Sequence, residues 1–156
     1  MCALKDEIKK RGPFESLEQE AYLNLLRTTD ALAREFDVVF KPAGLSEPQY
    51  NVLRILRGAG SDGLPCGEIA QRMIARDPDM TRLLDRLESR DLIARSRDSA
   101  DRRVVTARIT AAGLELLAQL DQPLAELHRN QLAHLRRDEL QTLVQLLEKA
   151  RAKEQS

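Results

Sequence analysis

Apolar residues recur along the chain with a helical period in most places and with a period of two in one. Leu17, Ala21, Leu25, Leu32, Phe36 and Val39 follow helical spacing, and Ser16 with Gln19 forms a capping box ahead of them. This predicts a long first helix from about Leu17 to Phe40. Pro42 and Gly44 break it, and Ser46, with Glu47 and Pro48 in the first turn, starts a second helix through Val52, Leu53, Ile55 and Leu56. Gly58, Gly60 and Gly63 close that one. Two short helices are predicted next, about Cys66 to Ile74 and Pro78 to Arg90, joined by Ala75-Arg76-Asp77, with Asp77 as N-cap and Pro78 at the first helical position. Leu83, Leu84 and Leu87 make one apolar stripe of the second short helix. Asp79, Thr81, Arg82, Asp85, Arg86 and Ser89 fall off that stripe and form a polar outer face.

After Leu92 the period becomes two. Ile93 to Arg97, the loop Asp98-Ser99-Ala100-Asp101 and Arg103 to Ile109 read as a β-hairpin. Thr110 then caps a helix through Leu114, Leu117, Leu120, Leu124 and Leu127, which Pro123 is expected to kink or split. Asp138 with Gln141 is expected to cap a last helix carrying Leu140, Leu143, Val144 and Leu147. The fold class is therefore mainly α with a small β-hairpin. A helix, a tight turn, a second helix with a polar face and then a hairpin are the parts of a winged helix-turn-helix, placed at residues 46–110. In that arrangement the second short helix enters the major groove of duplex DNA and the first crosses the backbone. Arg102 and Arg103 stand near the tip of the wing, where guanidinium groups fit a narrow minor groove.

Charge changes this picture little until its distribution is considered. The 156 residues carry 25 basic and 25 acidic side chains, which argues against a strongly basic nucleic-acid binder. Residues 46–110, however, hold twelve basic against ten acidic side chains, and all twelve are arginines. Arginine pairs bidentately with phosphates and with guanine edges, which lysine does not. Two cysteines, Cys2 and Cys66, suggest neither a disulfide framework nor a zinc site. His128 and His134 stand six apart on different faces of one helix and make no metal site. No nucleophile elbow, phosphate-binding glycine loop or His-Glu-x-x-His run is present, so no enzymatic activity, cofactor or metal is expected. With no apolar run of membrane length and no leader pattern at Met1 to Arg11, a cytoplasmic protein is expected.

Three runs carry a family likeness: Leu64-Pro65-Cys66-Gly67-Glu68-Ile69-Ala70, then Asp79-Met80-Thr81-Arg82-Leu83-Leu84-Asp85-Arg86-Leu87-Glu88, then Asp101-Arg102-Arg103 leading into Ile109-Thr110-Ala111-Ala112-Gly113. Together they resemble the MarR family of transcription regulators, over nearly the whole chain. The resemblance implies one domain of residues 1–156, in which helices of residues 14–45 and 111–156 interlock with those of a second copy. It also implies a homodimer that reads pseudo-palindromic double-stranded DNA as a repressor, released by a small aromatic or phenolic effector or, in one branch, by thiol oxidation. Thr81, Arg82 and Arg86 match its recognition-helix positions, Arg102 and Arg103 its wing tip, and Asp101 an acidic residue that braces a wing arginine. Arg86 has a competing role, bridging Asp85, Glu88 or Asp101.

Two positions depart from the family pattern. Pro65 replaces the usual Ser or Thr cap, and Asp91 stands where a glycine usually ends the recognition helix in the left-handed region. Tyr22, Phe36, Phe40 and Tyr50 read either as the lining of an effector pocket or as core. Cys66, in the first turn of a helix whose dipole favours the thiolate, reads either as a redox switch or as a small half-buried thiol. A second function class uses the same helix and wing to bind another protein.

Overall fold

The computed structural model describes residues 4–152; Cys2 lies outside them. Seven helices and three strands follow in the order α1 (Leu4–Glu7), α2 (Leu17–Phe40), α3 (Glu47–Ala59), β1 (Leu64–Pro65), α4 (Cys66–Arg72), α5 (Met80–Ser89), β2 (Ile93–Arg97), β3 (Val105–Ile109), α6 (Ala111–Gln131) and α7 (Arg137–Arg151). The expected winged helix-turn-helix is present, flanked by long helices on both sides. The strands form an antiparallel sheet in the order β1-β3-β2, with Arg95 opposite Ala107 and Leu64 also opposite Ala107 on the other edge. β1 has only two residues, too few for an alternation to register in the sequence.

The core lies in the middle of the chain. Val52, Leu53 and Leu56 of α3, Ile69 of α4, Leu87 of α5, Ala107 of β3 and Leu117 of α6 are fully sealed from solvent. Ser46 starts α3 with a complete capping box: its hydroxyl accepts the Gln49 N–H while the Gln49 amide oxygen accepts the Ser46 N–H. Gly113 presses its backbone against the wing, and a Cβ there would lie 2.4 Å from the Leu92 carbonyl oxygen. Only glycine allows that approach.

Three local expectations are corrected. Asp79, not Asp77, is the N-cap of α5, accepting the Arg82 N–H at 3.1 Å, while Asp77 accepts the Asp79 N–H at 2.8 Å. Pro78 therefore sits in a turn before the helix, because the Asp77 carboxylate holds that turn closed. Pro123 does not split α6, which runs unbroken to Gln131. Burial of Leu117, Leu120 and Leu124 anchors the helix on both sides of the proline. The last helix starts at Arg137, where the Glu139 carboxylate accepts the Arg136 N–H at 2.8 Å. Asp138, expected to cap it, instead pairs with the Arg136 guanidinium at 3.0 Å.

Candidate nucleic-acid interface

α5 turns Leu83, Leu84 and Leu87 into the core and leaves Thr81, Arg82, Asp85, Arg86 and Ser89 exposed. Both ends of this helix are fixed. At its start the Asp79 cap is followed in chain by the outer-face residues, and the preceding turn is tied to α3 by the Asn51 side chain, which accepts the Ile74 N–H at 2.8 Å. At its end Asp91 adopts the left-handed conformation with φ 57°. The Leu92 N–H reaches the Leu87 carbonyl at 3.1 Å and the Asp91 N–H the Glu88 carbonyl at 2.9 Å, the two bonds of a Schellman stop. The Arg90 guanidinium then donates to the carbonyls of Gly44 at 2.6 Å and Ala43 at 3.0 Å, pinning the helix end to the corner between α2 and α3.

Carboxylates on the outer face of α5 would oppose an anionic partner, and their pairing decides its character. Arg95, on β2, donates from Nη2 to Asp85 at 2.5 Å and to Glu88 at 2.9 Å, and its backbone N–H donates to the other Glu88 oxygen at 2.9 Å. This ion pair holds the Glu88 carboxyl below its ordinary range and pushes the Arg95 guanidinium further up. Arg86 is thereby relieved of the bridging role. Among the described residues neither Arg82 nor Arg86 forms a salt bridge.

The wing loop is ordered by its own side chains. Asp98 accepts the Ala100 N–H at 2.7 Å, and Arg97 donates to the Arg102 carbonyl at 2.7 Å. The Asp101 carboxylate accepts both the backbone N–H of Arg103, at 3.0 Å, and its Nε, at 3.3 Å. Arg103 nonetheless keeps 93% of its side chain exposed. Thr81, Arg82, Arg86, Arg102 and Arg103 thus lie exposed on two successive elements, with Asp79 at the root of the first.

The remaining candidates separate. Phe36 stacks on Phe40 at 5.9 Å and Phe40 meets Tyr50 at 4.9 Å, but Phe40 is core, with 4% exposure. Tyr22 belongs to no such cluster and is 60% exposed, about four helical turns from Phe36, so its grouping with the other aromatics is corrected. His128 of α6, which has no pattern to announce it, joins the cluster with its ring 5.0 Å from Phe36. Cys66 is half-buried at the start of α4. Burial pushes its thiol up, outweighing the pull of the nearby Arg95 charge. Of the two sequence readings, the half-buried thiol describes the burial found at this position.

No described helix is long and apolar enough to cross a membrane. Arg95, Arg90 and Asn51 were missed by sequence reasoning. Only Arg95 left a signal: it shares the inward pleat face of Ile93, where an apolar residue is expected.

Known proteins resemble the chain in sequence and fold. A model of the MarR family matches residues 45–105. The crystal structure of a MarR transcription factor from Planctomyces limnophilus is 45% identical, covers 87% of this chain and 98% of that one, and superposes with a TM-score of 0.68. The structure of BpsR from Bordetella bronchiseptica, whose DNA binding is regulated by 6-hydroxynicotinic acid, is 26% identical with a TM-score of 0.78, over 91% of this chain and 100% of that one. The homoprotocatechuate degradative operon repressor of Escherichia coli is 28% identical over 124 residues, 80% of this chain and 82% of that one. With the helix, the turn, the wing and the flanking helices all in place, the chain belongs to the MarR family of transcription regulators.

Proposed function

We propose that the chain represses transcription by binding pseudo-palindromic duplex DNA as a homodimer and lets go when a small aromatic acid or phenol binds. The observation that carries this reading is the pair of arginines on α5, Arg82 and Arg86, exposed and free of salt bridges among the described residues, beside the wing-tip pair Arg102 and Arg103. Arg82 and Arg86, with Thr81, face the major groove, and Arg103, braced by Asp101, enters the minor groove with Arg102. Asp79 serves by capping α5 rather than by touching a base. The zero net charge is no obstacle, since the site needs local rather than global positive charge.

Dimerisation is supported by the apolar side chains left open on α2 and α7. Leu25, Leu32, Leu140, Leu143, Val144 and Leu147 line a groove of about 560 Å³ between these helices. The effector class follows the likeness to BpsR and to the homoprotocatechuate operon repressor, both tied by name to aromatic acids. Phe36 and Tyr50, partly buried at the margin of the core, are the aromatic surfaces such a ligand would meet.

A mobility-shift titration on the duplex upstream of the chain's own gene tests the reading. Binding should weaken steeply with salt, with a logarithmic slope of about −0.9 per phosphate neutralised. A flat salt dependence, or no shift at any salt concentration, would overturn it.

A further inference from the structure

Arg95 stands where the pleat of the wing would place a core residue. It is two positions after Ile93 on the inward face of β2, opposite the fully buried Ala107, and keeps only 21% of its side chain exposed. Its two partners, Asp85 and Glu88, are three apart on α5 and so lie on one side of that helix. Both Glu88 oxygens are occupied by this one residue, through the backbone N–H and through Nη2, and Asp85 shares the same Nη2. Isolated surface ion pairs contribute little. This one is half-buried, employs one rigid guanidinium against two carboxylates and is backed by a backbone bond, the geometry in which such a cluster restricts motion.

The elements joined are the two that carry the exposed arginines. α5 bears Arg82 and Arg86, and β2 leads into the loop bearing Arg102 and Arg103. Beyond this cluster, the Thr110 hydroxyl donates to the Asp91 carbonyl at 2.6 Å, but at the base of the hairpin; Arg108 donates to the Ser61 carbonyl at 3.1 Å and to Ser96 at 3.0 Å, and Arg97 stays within the hairpin. The distance from helix to wing tip must match the distance from major to adjacent minor groove if both are to engage at once.

We propose that Arg95 is a positioning residue that clasps the wing to the recognition helix, setting the spacing at which both engage DNA, without itself touching DNA. The inference rests on the duplex-binding reading above. It predicts that the wing's contribution to affinity depends on Arg95.

The test is a double-mutant cycle on the homodimer, read by fluorescence anisotropy with a labelled duplex from the DNA upstream of the chain's gene. Arg95→Gln should weaken binding about tenfold, and Arg102→Ala with Arg103→Ala about tenfold in the parent chain but less than about threefold once Arg95 is gone. Equal losses in both backgrounds would overturn the clasp, because independent contacts add. Full recovery on adding Asp85→Asn and Glu88→Gln to Arg95→Gln would also overturn it, by showing that Arg95 only neutralises charge. Should Arg95→Gln not fold, Glu88→Gln replaces it in the cycle: it removes the doubly held carboxylate and should shrink the wing contribution in the same sense, an undiminished wing contribution being the contrary result. Failure of the parent chain to bind the duplex would bring down the DNA-binding reading and the clasp with it, whereas failure of the clasp alone leaves parent binding intact.

Discussion

Val52, Leu53, Leu56, Ile69 and Leu87 are sealed from solvent within one chain, whereas Leu25, Leu143, Val144 and Leu146, on α2 and α7, keep between 37 and 59% exposure. The first group belongs to α3, α4 and α5, the second to helices of 24 and 15 residues that contain just one buried residue between them, Phe40. Leucine is used for both, so composition does not separate the two regions. What separates them is that the central helices cross one another and the sheet, and each covers its neighbours, while α2 and α7 each present an apolar side with nothing of the same chain over it. A stripe of that kind is stable in water only when something else covers it. The central region closes on its own contacts; the outer helices leave an apolar side open, which in the reading proposed above a second copy covers.

The comparison breaks most visibly if the open side is made hostile to burial. Leu143→Asp combined with Leu147→Asp should abolish the dimer and DNA binding, because each unpaired carboxylate at an apolar interface costs several kcal/mol, about a thousandfold or more in dimer affinity together. Sedimentation equilibrium reads the result; a dimer that persists would move the interface elsewhere. The closed region is challenged by Gly113→Ala, whose Cβ would meet the Leu92 carbonyl oxygen at 2.4 Å and the Ile109 side chain at 2.7 Å. The expected loss is about 1 to 3 kcal/mol, seen as a lower melting temperature. Its size should be the same in the Leu143→Asp, Leu147→Asp background if the two regions are energetically separate.

Function should be removable without disturbing either region. Arg102→Ala with Arg103→Ala is expected to weaken operator binding by about 1 to 3 kcal/mol and to leave the melting temperature unchanged, since the wing tip packs against nothing. An unchanged binding isotherm would remove the wing from the interface. The smallest effect is expected at Asp91, held at φ 57° with a carboxylate at the negative end of the α5 dipole that accepts no hydrogen bond among the described residues. Asp91→Gly should raise stability by roughly 0.5 to 1 kcal/mol, the relief of strain being partly offset by a more flexible unfolded chain. A lower melting temperature would contradict this.

The fold was legible where a periodicity ran long enough to be read. α2, α3, α6 and the hairpin emerge from the leucine and β-branched spacing, while the left-handed Asp91 was suggested by the family resemblance, in which a glycine usually stands there. What escaped was decided by tertiary context. β1 is two residues long and exists because β3 offers an edge to Leu64 and Pro65. Asp77 and Asp79 are equally good caps by type, and the choice fell to the turn that Asp77 itself closes. The exposed arginines of α5 were identifiable by their position on a polar face; that Asp85 and Glu88 are engaged by Arg95, ten residues from Asp85, no local pattern announces. The aromatic grouping does not reach Tyr22 because residues on one side of a long helix can still lie about four turns apart.

One helix meets the wing base, α3 and α2 in turn. α6 begins where Gly113 abuts the wing base, is bound at its middle to α3 through Asp121 and Arg57, at 2.8 and 2.9 Å, and ends where Gln131 reaches the Leu32 carbonyl of α2 at 2.8 Å. Its 21 residues make a rod about 31 Å long. On a rod of that length, a tilt of about 2° at one end displaces the other by about 1 Å. The helix runs unbroken through Pro123. In a dimer of the kind proposed above, a small tilt of α6 beside α2 would therefore be felt at the wing base at its other end.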